Sequence, residues 1–205
     1  MTDKPDAKSS LNHNHTARHL RITAPSPWVV RFLKLVSPGG AVLDLAAGGG
    51  RHGRLALERG HPTTFVDRAV EPLGDLQDAG GATVIGADLE NGINPFGPSG
   101  ALAGRTFAGI IVSNYLYRPL FPGLIAAVET GGVLIYETFA QGNEAYGRPR
   151  NPDHLLKPGE LLDVVSGHLQ VVAYEHGLIE KEAAIAGVIS RIVAVKADEP
   201  TSVYP

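Results

Sequence analysis

Three acidic residues and one glycine turn are the parts of this chain whose types and spacing carry chemistry. The stretch Val42-Leu43-Asp44-Leu45-Ala46-Ala47-Gly48-Gly49-Gly50-Arg51-His52-Gly53 reads as a strand, a glycine turn and then a helix, an arrangement that lets a ligand touch backbone. Asp44 stands four residues before the first glycine, where its charge repels a pyrophosphate and attracts a cation. Asp67 follows a second apolar run, where a carboxylate can accept hydrogen bonds from both hydroxyls of a ribose, and Asp88 follows a third. Strand ends at one edge of a parallel sheet converge on one crevice. Singly, each acid reads as a loop or capping residue; together with the turn, the three form a ladder along that crevice.

The elements that must position this ladder are legible as alternating patterns. Short apolar runs alternate with segments of helical period, the mark of an α/β fold with a mostly parallel sheet and helices on both faces. Strands are expected at 41–45, 63–66, 82–85, 107–112 and 133–136. A helix after the glycine turn buries Leu55 and Ala56, a second places Leu73, Leu76 and Ala79 on one face, and a third, over 119–129, aligns Leu120, Leu124 and Val128 until Gly131 and Gly132 stop it. Residues 91–105 hold Gly92, Pro95, Gly97, Pro98, Gly100 and Gly104 and read as a loop. The polar, turn-rich segment 139–157 reads as a functional loop, followed by a short helix near 159–165. The runs 169–174 and 188–195, with nothing helical between them, are expected to pair as a late antiparallel hairpin.

Composition narrows the function classes. The 205 residues, 43% hydrophobic and 19% charged, describe one domain over 24–197, with a polar arm at 1–23 and a tail at 198–205. The arm's His13, His15 and His19 read as solvated residues and not as a metal site. Eighteen Lys and Arg against 21 Asp and Glu give a net charge of -3, so no nucleic-acid partner is expected. The absence of cysteine excludes disulfides, thiolate metal sites and a cysteine nucleophile. No apolar run approaches the roughly 20 residues of a membrane span, and the polar start does not read as a secretory signal, so a cytoplasmic protein is expected.

With these residues in place, the sequence resembles the class I S-adenosylmethionine-dependent methyltransferases over about 28–196. The resemblance implies a seven-stranded Rossmann-like sheet with a reversed last hairpin and S-adenosyl-L-methionine as cofactor. It places Ala46, Gly48 and Gly50 against the methionine and ribose portion, with Asp44 ordering the amine end and Arg51 reaching the methionine carboxylate. It gives Asp67 and the adjacent Arg68 to the ribose side, and Asp88 and Leu89 to the adenine. Ser113, Asn114 and Tyr115 fall beside the transferred methyl. The stretch Tyr136-Glu137-Thr138-Phe139 with Gly142-Asn143-Glu144 and Gly147-Arg148-Pro149 resembles small bacterial methyltransferases of the tellurite-resistance or thiopurine type. No Asn-Pro-Pro-Tyr or Asp-Pro-Pro-Tyr follows the fourth strand, which disfavours transfer to a base or glutamine nitrogen and points to a small-molecule acceptor.

Candidates to bind or deprotonate that acceptor are Tyr115, Tyr117 and His154 as catalytic groups and Tyr146, Arg148 and Arg150 as anchors. The bland readings beside these are aromatic packing for the tyrosines and solvated loop charges for the rest. Arg51 and His52 alternatively cap and solvate the first helix, and Trp28 reads as core packing and not a lid. Two further classes compete. Gly48, Gly50 and Gly53 satisfy G-x-G-x-x-G, which with Asp67 suggests a nicotinamide-dependent oxidoreductase, although no tyrosine is followed four residues later by lysine. The other is a non-catalytic regulatory protein that keeps the cofactor site.

Overall fold

The computed structural model describes residues 23–179 and 187–197; the expected tail at 198–205 and the arm with its three histidines, apart from Thr23, lie outside them. The described residues open with α1 (Pro27–Phe32), where Ser26 accepts the Trp28 N–H and proline occupies the first turn, so one unpaired donor is capped and another is absent. A tight turn over Leu33–Leu35 extends it. Then come β1 (Val42–Leu45), α2 (Arg51–Glu58), β2 (Thr63–Asp67), β3 (Ala82–Gly86), β4 (Phe107–Ser113), α3 (Phe121–Ala127), β5 (Val128–Phe139), α4 (Glu160–Val165), β6 (Gln170–Ile179) and β7 (Gly187–Val195).

The seven strands form one sheet in the order β3-β2-β1-β4-β5-β7-β6. The pairs from β3 through β5 are parallel, whereas β7 runs antiparallel to both β5 and β6, which is the late hairpin expected from the sequence. Strand side chains alternate between faces, so each strand feeds two cores. Leu43, Leu45, Ile110, Val112, Leu134 and Tyr136 pack toward α3 and α4. Val42, Ile111, Val133, Ile135 and Val193 pack toward α1 and α2 with Trp28, which is core as expected. Each fully buried aliphatic side chain of this kind contributes roughly 1.5–3 kcal/mol by leaving water.

Two expected helices differ. The segment with Leu73 and Leu76 is a 3-10 turn over Glu71–Leu76, and Ala79 lies beyond it. Pro72 removes an amide donor, and Gly74 and Gly80 weaken any longer helix. The helix expected over 119–129 ends at Ala127, because Val128 already pairs with Phe107 as the first residue of β5. Gly131 and Gly132 therefore sit within the strand. A Cβ on Gly132 would lie 2.9 Å from the Phe107 carbonyl oxygen, so the glycine is needed for the strands to approach where the register shifts. Among the described residues no helix is long and apolar enough to cross a membrane.

Candidate functional site

The parallel register brings β1, β2 and β4 to one level: Leu45 lies beside Val66 on one side and Val112 on the other. The turn after β1 leaves the sheet through left-handed backbone at Ala46 (φ 55°), Gly48 (φ 56°) and Gly50 (φ 73°). Ala46 is the costly member, since a side chain there strains the backbone by about 1–2 kcal/mol. Four hydrogen bonds fix the path. Gly48 N–H donates to Asp67 Oδ2 at 2.8 Å, Ala47 N–H to the Val66 carbonyl at 3.0 Å, Gly50 N–H to the Ala47 carbonyl at 2.8 Å, and Gly53 N–H to Asp44 Oδ2 at 2.8 Å. Gly53 lets α2 press on β2, because a Cβ there would stand 2.2 Å from Phe65 Cε1.

Asp44 and Asp67 thus both act on the turn, in different surroundings. Asp44 is only 1% exposed, and burial pushes its carboxyl up to about 7 against the opposing effects of the Gly53 bond and Arg51. It lies beneath the turn, where it braces the start of α2; the sequence reading set it toward the amine end of a cofactor. Asp67 is half-buried and also accepts the Ala69 N–H through Oδ1 at 2.9 Å. An ionised carboxylate offers about four lone-pair sites, so two remain for a ligand's hydroxyls. Asp88 is exposed and turns its Oδ1 to the Glu90 N–H at 2.9 Å, while Leu89 beside it is buried in the core. Arg68 is exposed.

A second group crosses from α2 to β5. Arg51 donates through Nη1 to the Ala24 carbonyl at 3.1 Å and through Nη2 to Ser113 Oγ at 3.4 Å, and the Ser113 hydroxyl donates to Glu137 Oε1 at 3.2 Å. Burial lowers the Arg51 pKa, opposed by Glu137 and Asp44. His52 is buried and accepts the Ser26 N–H at Nε2 (3.2 Å), with burial first and Arg51 second pushing its pKa down to about 3. The expectation that His52 solvates the helix is therefore corrected: it is a neutral acceptor that ties α2 to the cap of α1. Asn114, exposed and left-handed at φ 55°, bends the chain out of β4. Glu137 was not singled out as a site residue from sequence. Its signal was a carboxylate at the end of the apolar run Val133-Leu134-Ile135-Tyr136.

The acceptor candidates divide. Tyr115 and Tyr117 lie half-buried just beyond β4. The buried Tyr115 hydroxyl stands beside Glu90 without a hydrogen bond of ordinary geometry, and burial, then Glu90, raises its pKa further above the usual phenol value. Tyr115 therefore stays protonated near neutral pH, which removes it as a base. Tyr146, Arg148, Arg150 and His154 are exposed on the loop after β5. That loop is held firmly. Asn143 Nδ2 donates to the Pro149 carbonyl at 3.1 Å, and Arg118 grips Glu160 (2.6 and 3.0 Å) together with the Asp153 and Leu155 carbonyls (2.8 and 2.9 Å). Arg118 carried no sequence signal, since its partners lie 35 to 42 residues away. Among the described residues no cluster of His, Asp and Glu suits a metal ion.

The strand order with its reversed β7 is a fold that this chain shares with solved structures of S-adenosylmethionine-dependent methyltransferases. TehB from Haemophilus influenzae is 17% identical with a TM-score of 0.68, over 89% of this chain and 66% of that one, so the chain spans just under two thirds of TehB. The 1,6-didemethyltoxoflavin-N1-methyltransferase of Burkholderia thailandensis, with bound 1,6-didemethyltoxoflavin and S-adenosylhomocysteine, is 16% identical with a TM-score of 0.61 over 96% and 94% of the two chains. A TehB-like methyltransferase from Corynebacterium glutamicum is 18% identical with a TM-score of 0.57 over 93% and 100%. No protein-family model matches the sequence, and no curated protein matches it.

Proposed function

We propose that this chain is an enzyme that transfers the methyl group of S-adenosyl-L-methionine to a small-molecule acceptor. The observation that carries the reading is the pinned turn. Asp67 holds Gly48 with one oxygen and Ala69 with the other, so its remaining lone pairs stand beside the half-buried backbone of Gly48 at the strand ends. Such a site suits a ribose lying against a turn, and the competing nicotinamide fold has a different sheet. A dinucleotide-binding sheet runs 3-2-1-4-5-6, whereas here an antiparallel strand separates β5 from β6.

The residues divide the work. Asp67 accepts from the ribose hydroxyls, Asp88 takes the adenine amino group and Leu89, its side chain packed into the core, offers its backbone to the ring. Arg51, steered by Ser113 and linked through it to Glu137, takes the methionine carboxylate. Asp44 acts through the turn it braces. The bound cofactor supplies a methyl group already activated by the sulfonium, so the protein's task is alignment and exclusion of water. With Tyr115 protonated, the site suits an acceptor that arrives as a nucleophile in its own right, steered by Tyr146, Arg148 and Arg150. Tyr117 and His154 remain the groups for moving a proton.

Calorimetry tests this reading. S-adenosylmethionine and S-adenosylhomocysteine are expected to bind and NAD to give no heat; NAD binding with silence from the other two overturns it. Methyl transfer from labelled cofactor to a panel of small thiols and amines separates an enzyme from a regulatory protein.

A further inference from the structure

Away from the glycine turn, at the end of the sheet where β1 and β2 begin, α1, its following turn and the end of α2 line an open depression of about 560 Å³. It is lined by Val30, Arg31, Lys34, Val36, Arg59 and His61, with Pro38 at its margin. Four of these are basic and none is acidic. The ion pairs among the described residues engage Arg54, Arg118 and Arg191, so Arg31, Lys34 and Arg59 face one space with no carboxylate partner among them. Like charges gathered around a concavity repel one another and focus a positive potential into it, and a bound anion relieves both.

The depression lies beyond the ends of two short helices, whose carbonyls themselves favour cations. That accounts for Arg59, which donates through Nη1 to the Val30 carbonyl at 3.2 Å. It leaves Arg31 and Lys34 without a hydrogen bond among the described residues. His61, 6% exposed, is held at the back of the space by its Nδ1, which lies 3.1 Å from the Gly40 carbonyl; a carbonyl can only accept, so Nδ1 carries the proton and the ring is spent on the fold and not on the anion. Val30, an aliphatic side chain 39% exposed, supplies an apolar wall with Val36.

We propose that this depression is a binding site for a small organic phosphate, its anionic group taken by Arg31, Lys34 and Arg59 and its apolar body laid against Val30 and Val36. Two guanidiniums beside an ammonium match a doubly charged group better than a carboxylate, because each arginine offers a fork of donors. The volume falls in the range of small-ligand sites, roughly 300–1,000 Å³. The site is separate from the crevice, so it stands or falls independently of the methyltransferase reading.

The full chain is titrated calorimetrically with phenyl phosphate and with inorganic phosphate at fixed ionic strength. Phenyl phosphate is expected to saturate one site and to bind more tightly than inorganic phosphate. Arg31→Glu/Lys34→Glu is expected to weaken it by at least about tenfold, the loss of one charge-assisted hydrogen bond. Lys34→Glu alone serves if the double variant does not fold. Addition of S-adenosylhomocysteine is expected to leave phenyl phosphate bound. Absence of saturation, equal affinity in the variant, or displacement by S-adenosylhomocysteine overturns the proposal; equal affinity for the two phosphates overturns the part assigned to Val30 and Val36.

Discussion

Asp67 Oδ2 accepts the Gly48 N–H across 2.8 Å, so the end of β2 sets the shape of the turn that follows β1. The same carboxylate is the proposed ribose acceptor, and it therefore acts twice. Asp67→Ala is expected to weaken S-adenosylmethionine binding by roughly 1–3 kcal/mol through lost charged hydrogen bonds, while Asp67→Asn, which keeps one acceptor oxygen, loses less. Calorimetric dissociation constants check this, and an unchanged value for the alanine variant takes Asp67 out of the ribose role.

Two buried groups near the turn oppose each other in pH. Asp44, raised from 3.8 to about 7 chiefly by burial, keeps a proton in the folded chain that the unfolded chain has released, so its contribution to stability falls as pH rises across that window. His52, lowered from 6.5 to about 3 by burial and then by Arg51, is neutral in the folded chain where the unfolded ring is protonated, so its contribution rises with pH from about 3 to 6.5. Each shift is worth a few kcal/mol at most, at about 1.4 kcal/mol per pKa unit. Asp44→Asn keeps an acceptor for Gly53 and is expected to make stability climb more steeply with pH than in the native chain. His52→Gln is expected to make it fall. Urea unfolding from pH 4 to 7.5 measures both, and slopes that move in the same direction in the two variants contradict the assignment.

Gly53→Ala isolates packing from chemistry. Alanine in a helix is normally better than glycine by about 1 kcal/mol. Here its Cβ meets Phe65 Cε1 at 2.2 Å, so the variant is expected to lose roughly 1–3 kcal/mol. Adding Phe65→Leu makes room, and the double variant is expected to lose less than the sum of the two single losses. Additive losses in thermal melts would show that α2 does not press on β2 at this point.

Arg118 is a positioning residue for the loop after β5. Arg118→Met removes four hydrogen bonds to Glu160, Asp153 and Leu155. Faster hydrogen exchange over 140–157 is expected, together with a raised KM for the acceptor and an unchanged dissociation constant for S-adenosylhomocysteine. A loss of cofactor affinity equal to the loss in KM would place the effect in the fold at large.

The sheet was readable because its strands are short apolar runs and its glycine turn has a strict pattern; Asp44, Asp67 and Asp88 stand just where those runs end. What escaped the pattern depends on distant partners. Val128 continues the helical spacing of Leu120 and Leu124, yet pairing with Phe107 converts it to strand. His52 reads as a surface residue until α1 folds over it and Ser26 offers an N–H. Glu137 becomes part of the site only because parallel register sets it beside Ser113, which Arg51 reaches from α2. Helical and strand periods carry local preference; the contact between α2 and β5 is set by the assembled sheet.

A crystal structure of the chain with S-adenosylhomocysteine is the most direct measurement of the proposed function. The nucleoside is expected along the strand ends, with its ribose hydroxyls on Asp67, its adenine against Asp88 and the Leu89 backbone, and its carboxylate within hydrogen-bond distance of Arg51. Density for the ligand elsewhere, or a crevice still closed by protein side chains at saturating ligand, would contradict the assignment of this site.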